Sequence, residues 1–349
     1  MKYFNLIFGL LLILQSCTER QESKRIESDT NIYLDYSNRD DILSGGVKMI
    51  PIQTSAGEFN VWTKRVGNNP TMKVLLLHGG PGSTHEYFEA FDSYFPNSEI
   101  EYYYYDQLES AYSDQPNDSS LWSVNRYVDE IEQVRQALDL DSTNFYLLGH
   151  SWGGIIGIEY ALKYQKNLKG LIISNMMSSV PDYNVYANEV LGPQLPSEIL
   201  AEVKELEANG EFDNPRYSEL LYQHFYTAHI LRMPLEQWPN PVNRAFAGIN
   251  PNLYVTMQGP SEFGITEDAK LINWDRSNDL SKITVPTLTI GGAHDTMDPE
   301  HMEWMALKTQ NGRYLHCPNG SHMAMYDDQK TYFSGLIQFI KDVDEGKFK

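Results

Sequence analysis

Short apolar runs alternate with amphipathic segments along most of the chain, and this alternation predicts the fold class. Two β-like runs occupy 47–53 and 58–66, and further strand-length apolar runs occupy 72–80, 100–106, 145–151, 168–174, 285–292 and 312–318. Segments with apolar positions at helical spacing follow, at 123–138, 153–165, 299–309 and 329–342. Strands that alternate with helices form a mostly parallel sheet with helices on both faces. We therefore expect an α/β protein built on an eight-stranded sheet.

The alternation breaks between residues 178 and 275. This stretch holds short helical patterns, many aromatic residues and prolines at 181, 193, 196, 215, 234, 239, 241, 251 and 260, but no convincing run of strands. Ligands of such sheets bind at the carboxyl edge, so an insertion here is expected to form a helical cap over that edge. We therefore predict a core made of residues 36–177 and 276–349, and a cap made of residues 178–275.

The first residues are typical of a bacterial export signal. Lys2 precedes an uninterrupted apolar stretch at residues 6–14, which is too short to span a bilayer. The stretch ends in Leu-Gln-Ser-Cys at 14–17, which resembles the lipobox of bacterial lipoproteins except for the glutamine. An ordinary cleaved signal with a chance cysteine is the alternative.

The lipoprotein interpretation predicts how the protein is held in the cell. Residues 1–16 are the signal peptide, Cys17 becomes the lipidated N-terminus, and residues 17–35 form a polar, flexible tether. The protein is then exported and anchored by its lipid to a membrane of the cell envelope, facing the periplasm or the outside. Only Cys317 remains as a free thiol, so no internal disulfide is expected.

Composition and charge exclude several classes of function. The chain is 41% hydrophobic, which excludes a disordered polymer. Its net charge of −20 argues against nucleic-acid binding, which needs clustered Lys and Arg. A negative surface instead suits solubility and a mild preference for cationic ligands.

The candidate nucleophile is Ser151. Gly149, Ser151 and Gly153 form a G-x-S-x-G motif that follows an apolar strand and opens an apolar helix. This is the context of a nucleophile elbow, a sharp strand-to-helix turn that exposes one hydroxyl group. A simple turn of small residues is the alternative, but it needs neither the serine nor this spacing.

A serine hydroxyl needs a base and an orienting carboxylate, which in this architecture follow the serine as acid and then histidine. Asp295 comes directly after the strand at 285–292, and His322 lies in the loop after the next strand. Asp298 is the rival acid, but its position suits the cap of the following helix. Among the nine histidines, we assign the base to His322.

The oxyanion of an acyl-transfer reaction needs backbone donors. The glycine-rich sequence His-Gly-Gly-Pro-Gly at 78–82 follows a strand and supplies such donors. A plain Gly-Pro turn has the same letters, but the pairing with the serine elbow favours the functional interpretation. We expect the donors to be the backbone N–H groups of Gly80 and Trp152.

Together these motifs resemble the proline iminopeptidase family of the α/β-hydrolase fold. The resemblance rests on HGGPG at 78–82, Asp106-Gln107, GHSWGG at 149–154, Asp295 and His322, and it covers residues 45–345. It implies a serine peptidase that releases an N-terminal amino acid, often proline, from short peptides or aminoacyl amides. It also implies catalysis without a metal or other cofactor.

Such an enzyme must recognise a free α-amino group, and a desolvated ammonium needs a carboxylate partner. The segment MQGPSEFGI at 257–265 resembles the family segment whose glutamate binds this amine, which points to Glu262. An exposed loop carboxylate is the alternative. The resemblance implies a second acid in the cap, for which Glu219 and Glu236 are both candidates.

The chain departs from the family pattern after Asp106-Gln107. It has Glu109 and Ala111 where the family commonly has glycine. If a positive φ is needed there, Glu109 is strained. An additional acid at the mouth of the site is also expected to favour cationic substrates.

Two other classes of function compete with the peptidase. An esterase, lactonase or amidase on the same scaffold needs no free amine, so Glu262 in its motif separates it from the peptidase. A catalytically silent lipoprotein that binds peptides is the other, but a complete triad argues against it. The pattern does not predict the oligomeric state.

Overall fold

The computed structural model describes residues 32–349, and its centre is a single sheet of eight strands. In chain order these are β1 Val47–Thr54, β2 Gly57–Val66, β3 Lys73–Leu77, β4 Glu101–Asp106, β5 Phe145–His150, β6 Gly170–Ser174, β7 Thr287–Gly292 and β8 Gly312–Cys317. Their spatial order is β1-β2-β4-β3-β5-β6-β7-β8. The pairs β1–β2 and β2–β4 are antiparallel, and all the others are parallel. The predicted eight-stranded, mostly parallel sheet is confirmed.

Eleven α-helices lie in the described part of the chain. They are α1 Val124–Ala137, α2 Trp152–Tyr164, α3 Val180–Val185, α4 Ser197–Ala208, α5 Pro215–Leu221, α6 Thr227–His229, α7 Asn240–Ala247, α8 Pro251–Met257, α9 Pro299–Lys308, α10 Ala324–Asp327 and α11 Gln329–Asp344. A 3₁₀ segment at His85–Ser93 follows β3. The crossovers between parallel strands therefore carry the helices that cover the sheet.

The two faces of the sheet are both buried, because side chains alternate along each strand. On β3, Leu75 and Leu77 belong to one apolar cluster, which they share with α1, α2 and α9. Val74 and Leu76 belong to a second cluster, which they share with the segment at 85–93 and with α11. Every residue of β3 is buried, as expected for a central parallel strand.

The chain between β6 and β7 is helical and holds α3 to α8. Ser179 and Asp275 pair in an isolated antiparallel bridge, so the two ends of this insertion are neighbours. No strand of the sheet comes from residues 178–275 in the described structure. The insertion follows β6 directly, which places its ends at the carboxyl edge of the sheet.

The features predicted for the N-terminus lie mainly outside the described residues. The signal peptide at 1–16, the lipidation site Cys17 and the tether up to residue 31 all lie there. The predicted tether, 17–35, extends too far along the chain, because the Tyr33 side chain is buried and its hydroxyl donates to the carbonyl of Ile100 at 3.1 Å. Between residues 32 and 349, no helix has the length and apolar character that crossing a membrane requires.

Candidate active site

Ser151 lies in the sharp turn between β5 and α2. Its φ of 56° and ψ of −127° are unusual for a residue with a side chain, and this strained geometry is the one expected of a nucleophile elbow. The flanking glycines permit it: a Cβ on Gly149 would lie 2.0 Å from the carbonyl oxygen of Gly153, and one on Gly153 would lie 2.1 Å from that of Leu77. The spacing of the motif is therefore a steric requirement of the turn.

His322 and Asp295 follow the carboxyl ends of β8 and β7, and they form a hydrogen-bonded pair. His322 Nδ1 lies 2.8 Å from Asp295 Oδ1, and both side chains are buried. The carboxylate accepts further hydrogen bonds from Asn175 Nδ2 at 2.6 Å and from the backbone N–H of Met297 at 3.1 Å. Because an ionised carboxylate only accepts, Nδ1 carries the proton and Nε2 presents a lone pair. Ser151 and His322 line one pocket, so the structure brings the predicted nucleophile and base together.

The environment of His322 sets its basicity. Burial by itself lowers the pKa of the imidazole, but the Asp295 carboxylate, through its charge and its hydrogen bond, outweighs burial and raises that pKa above the ordinary value of 6.5. Glu262 adds to the rise through its charge. A raised pKa means that the imidazolium formed during catalysis is stabilised.

The loop after β3 lies beside the nucleophile. A Cβ on Gly79 would lie 2.9 Å from the Cβ of Ser151, so the glycine loop passes as close as the chain allows. Gly80 lines the same pocket as Ser151. Trp152 is the first residue of α2, where backbone N–H groups have no partner within the helix. The predicted pair of donors, Gly80 and Trp152, thus flanks the nucleophile from two elements.

Gln107 connects the two sides of this oxyanion site, a role that the sequence did not reveal. Its Oε1 accepts from the indole Nε1 of Trp152 at 2.9 Å, and its Nε2 donates to the carbonyl of His78 at 2.9 Å. The Asp-Gln motif therefore has a physical explanation at this position: an amide both accepts from the elbow and donates to the glycine loop.

The pocket above Ser151 is small and has a mostly apolar wall, with about 40 Å³ open to the centre of a water-sized molecule. Its apolar side chains come mainly from the cap and from the loop of the catalytic histidine, namely Ile230, Phe246, Ile249 and Met323. Glu262 is the carboxylate that lines it, among the residues that the structure describes. The pocket therefore offers one negative charge in an apolar surround, next to a nucleophile and a base.

Glu262 is held in place by hydrogen bonds to both of its carboxylate oxygens. Tyr254 donates its hydroxyl to Oε1 at 2.5 Å, and Gln258 Nε2 donates to Oε2 at 3.0 Å. The backbone is fixed as well, because the carbonyl of Glu262 accepts from the hydroxyl of Tyr183 at 2.7 Å. Sequence reasoning missed Tyr254 and Gln258, although Gln258 lies in the quoted segment at 257–265.

The structure does not bring Glu219 or Glu236 into the pocket. Glu219 is exposed on α5, where its carboxylate pairs with Arg216 at 3.1 Å, one helical turn away. Glu236 is also exposed, in a short 3₁₀ segment. The expectation of a second amine-binding acid at Glu219 is therefore corrected: a charged residue on the outer face of a cap helix pairs with its own helix neighbour.

Glu109 and Ala111 adopt the positive φ values expected at glycine positions, 77° and 34°. The expected effect on the pocket is wrong, however, because the Glu109 carboxylate is buried away from it. It accepts from the backbone N–H of Asn117 at 3.1 Å and from the indole Nε1 of Trp122 at 3.2 Å. Glu109 thus stabilises its own loop and gives no reason to expect a preference for cationic substrates.

The rival groups named from the sequence have other environments. Asp298 caps α9 by accepting from the backbone N–H of Glu300 at 2.9 Å, as predicted. His301 lies in α9 and His316 in β8. Cys317 is a buried free thiol. None of these four side chains lines the pocket of Ser151.

Comparison with known proteins identifies the fold and the family. Residues 73–329 match the family model described as alpha/beta hydrolase fold. The chain is 57% identical to the proline iminopeptidase of Flavobacterium johnsoniae over 299 residues, which cover 86% of this chain and 99% of that protein. It is 36% identical to the proline iminopeptidase of Saccharolobus solfataricus over 271 residues, 77% of this chain and 85% of that one.

Two solved structures superpose on most of this chain. The crystal structure of VinJ superposes with a TM-score of 0.78 at 26% identity, covering 85% of this chain and 99% of that one. The crystal structure of proline iminopeptidase from Mycobacterium smegmatis superposes with a TM-score of 0.74, also at 26% identity, covering 86% and 99%. On its identity to these relatives across most of its length, the chain belongs to the proline iminopeptidase family of α/β hydrolases.

Proposed function

We propose that this protein is a serine aminopeptidase that releases the N-terminal residue, proline or another, often hydrophobic, residue, from short peptides or aminoacyl amides. The observation that carries the proposal is the position of Glu262, whose carboxylate shares one pocket with Ser151 and His322. A carboxylate at this place is explained by a substrate ammonium, because a charge in an apolar wall is costly without a partner. The relatives named above support the same activity.

Acylation begins with the hydroxyl of Ser151. His322 Nε2 takes the hydroxyl proton while Oγ attacks the scissile carbonyl, and the carbonyl oxygen becomes an oxyanion. The backbone N–H groups of Gly80 and Trp152 stabilise that charge. The tetrahedral intermediate collapses as His322 gives its proton to the leaving amine. Asp295 stabilises the imidazolium throughout.

Deacylation repeats these steps with water. His322 removes a proton from a water molecule, the hydroxide attacks the ester carbon of the acyl-enzyme, and the proton returns to Ser151 Oγ as the bond breaks. The product is the free N-terminal amino acid, and the enzyme returns to its starting state. The proton balance needs no group beyond the triad.

The ammonium recognition explains why the cleaved residue is the first one. Tyr254 and Gln258 each occupy one acceptor position on the Glu262 carboxylate, which leaves lone pairs on both oxygens for the substrate. A prolyl ammonium has two N–H donors and an apolar ring, which match two free acceptor positions and an apolar wall. A blocked N-terminus lacks the positive charge that pairs with Glu262.

A panel of aminoacyl arylamides tests the proposal. Free and N-acetylated prolyl and alanyl arylamides are compared with a simple aryl ester that has no amine, using protein purified from about residue 25. Hydrolysis confined to the free-amine substrates supports the aminopeptidase. Hydrolysis of the ester and the blocked amides, with the free-amine substrates ignored, would make the protein a general serine hydrolase.

Glu262→Gln is expected to weaken the hydrolysis of free-amine substrates specifically. The amide keeps the shape but loses the charge, so kcat/KM for prolyl arylamide falls roughly 10- to 100-fold, the range expected for a lost charge-assisted hydrogen bond. The rate at which a small sulfonyl fluoride modifies Ser151 falls much less, because that reagent carries no ammonium and Glu262 affects it only through its charge on His322. The matched control is Glu267→Gln, which removes an exposed carboxylate five residues along the chain. Equal loss in both variants contradicts the assigned role of Glu262.

We further propose that Cys17 carries the lipid that anchors the enzyme in the cell envelope, facing the periplasm or the outside. Support comes from the apolar stretch at 6–14 and the Leu-Gln-Ser-Cys sequence at 14–17. The full-length chain has two cysteines, which allows a matched experiment. In bacteria fed an alkyne fatty acid, wild type and Cys317→Ser are expected to be labelled and Cys17→Ser unlabelled. Wild type without label would indicate an ordinary cleaved signal.

A further inference from the structure

Two buried residues beside the triad, Tyr87 and His150, form a continuous chain of hydrogen bonds that the mechanism above does not use. The backbone N–H of Gly79 donates to the hydroxyl of Tyr87 at 2.6 Å. The same hydroxyl lies 3.1 Å from His150 Nδ1, and His150 Nε2 lies 2.8 Å from the carbonyl oxygen of His322. The chain therefore runs from the oxyanion loop to the backbone of the catalytic base, and it passes through the residue adjacent to Ser151.

The direction of every bond in this chain follows from its ends. A carbonyl oxygen only accepts, so Nε2 of His150 carries a proton, and in the neutral imidazole Nδ1 then presents a lone pair. The Tyr87 hydroxyl therefore donates to Nδ1, and its oxygen accepts from Gly79. For a neutral imidazole no other assignment satisfies all three bonds, so its neighbours fix the tautomer of neutral His150.

His150 stays neutral while His322 works as a base. Complete burial, together with the charge of His322, whose ring centroid is 4.9 Å away, lowers the pKa of His150 to about 3. A neutral imidazole can accept from Tyr87 and donate to His322 at the same time, whereas an imidazolium has no lone pair for Tyr87. This chain of hydrogen bonds is therefore intact over the pH range in which His322 acts as a base.

The two loops that this chain joins come from different parts of the sheet. The oxyanion loop follows β3 and the His322 loop follows β8. Catalysis needs the Gly80 N–H and His322 Nε2 at fixed positions around one atom, Ser151 Oγ. A further contact reinforces the link, because Tyr326 from α10 donates its hydroxyl to the carbonyl of Tyr87 at 2.8 Å.

We propose that Tyr87 and His150 are positioning residues that hold the oxyanion loop and the catalytic histidine in register around Ser151. The proposal rests on the proposed hydrolase function, and it assigns to neither residue a contact with the reacting atoms. Loss of the chain leaves the Gly79 N–H and the His322 carbonyl without these partners, so both loops can shift. Both side chains also line the pocket, but Glu262 keeps its own hydrogen bonds to Tyr254 and Gln258, so a shift of this kind lowers kcat more than it weakens substrate binding.

The test compares four variants. Tyr87→Phe removes the hydroxyl. His150→Leu removes both imidazole bonds at similar volume, whereas His150→Gln places an amide N–H near Nε2 and can still donate to the His322 carbonyl. Tyr146→Phe is the control, because this buried tyrosine on β5 donates to the distant carbonyl of Ile340. Each variant is assayed for kcat and KM on prolyl arylamide, for the rate of sulfonyl fluoride modification of Ser151, and for its thermal midpoint.

We expect Tyr87→Phe and His150→Leu to lower kcat about 10- to 100-fold with KM changed less than about twofold, since misplacement by 1 Å can cost 10²-fold. The sulfonylation rate falls in parallel. His150→Gln recovers most of the activity, and Tyr146→Phe keeps it. Unchanged kcat in Tyr87→Phe and His150→Leu overturns the proposal. So does a kcat for His150→Gln as low as that of His150→Leu, or a loss in Tyr146→Phe as large as in Tyr87→Phe.

Different results would contradict the proposed function and the positioning role. If wild type does not hydrolyse the free-amine substrates, yet sulfonylation follows the expected order of variants, the aminopeptidase is wrong and the positioning role stands. If wild type hydrolyses them and the variants match it in every rate, the positioning role is wrong and the aminopeptidase stands.

Discussion

Ser151→Ala is expected to abolish turnover, with kcat reduced on the order of 10⁶-fold, as for the removal of a triad serine elsewhere. The substitution removes Oγ alone. Alanine has the same backbone restrictions as serine, so the turn with φ of 56° is as strained after the change as before it. Substrate binding is expected to persist, because Glu262 and the apolar wall remain. The measurement is single-turnover hydrolysis of prolyl arylamide together with the thermal midpoint.

Ser110→Ala provides the matched control for this variant. Ser110 is also buried, but its hydroxyl has no hydrogen-bond partner among the described residues, so the control removes the same atom without breaking a contact. Its kcat is expected to equal that of wild type. Residual activity of Ser151→Ala within about tenfold of wild type contradicts Ser151 as the nucleophile, since water activated directly by the base is a far weaker route.

Much of the core of this site was predictable because strand ends have fixed geometry. Ser151, Asp295 and His322 follow the carboxyl ends of β5, β7 and β8, and these ends meet at one edge of a parallel sheet. Apolar runs and their order along the chain therefore place side chains that are far apart in sequence. Asn175 follows β6 in the same way, so its contact with Asp295 could have been predicted too.

The positions of side chains in the cap were less predictable, because no comparable rule of sheet geometry fixes them. Glu219 satisfies the expectation of an acid in the cap, but which face of α5 is buried depends on how the cap helices pack, and Glu219 lies on the outer face with Arg216. Glu109 shows a related limit. Its positive φ followed from the pattern, whereas the direction of its side chain depends on where the loop at 117–122 folds back.

Asp295→Asn is expected to lower kcat/KM about 10⁴-fold, because His322 is then held in the wrong orientation or in the wrong tautomer. Both oxygens of Asp295 face donors that cannot rearrange. Oδ1 accepts from the backbone N–H of Met297, and Oδ2 accepts from Asn175 Nδ2. Asn175 cannot reverse its amide without setting its oxygen against the carbonyl of Ser321, to which Nδ2 also donates. An amide at position 295 therefore puts its NH₂ group against a donor in either orientation.

The pH profile of Asp295→Asn separates the loss of charge from simple damage to the fold. In wild type the Asp295 carboxylate raises the pKa of His322, and hydrolysis falls as pH drops through that pKa, because a protonated base cannot accept from Ser151. Without the carboxylate the pKa of His322 falls, so the acid limb of kcat/KM moves to lower pH while the plateau drops. The control is Asp298→Asn, which keeps a good helix cap and should leave both limb and plateau unchanged. An unshifted limb in Asp295→Asn would mean that Asp295 does not set the basicity of His322, whatever the loss in rate.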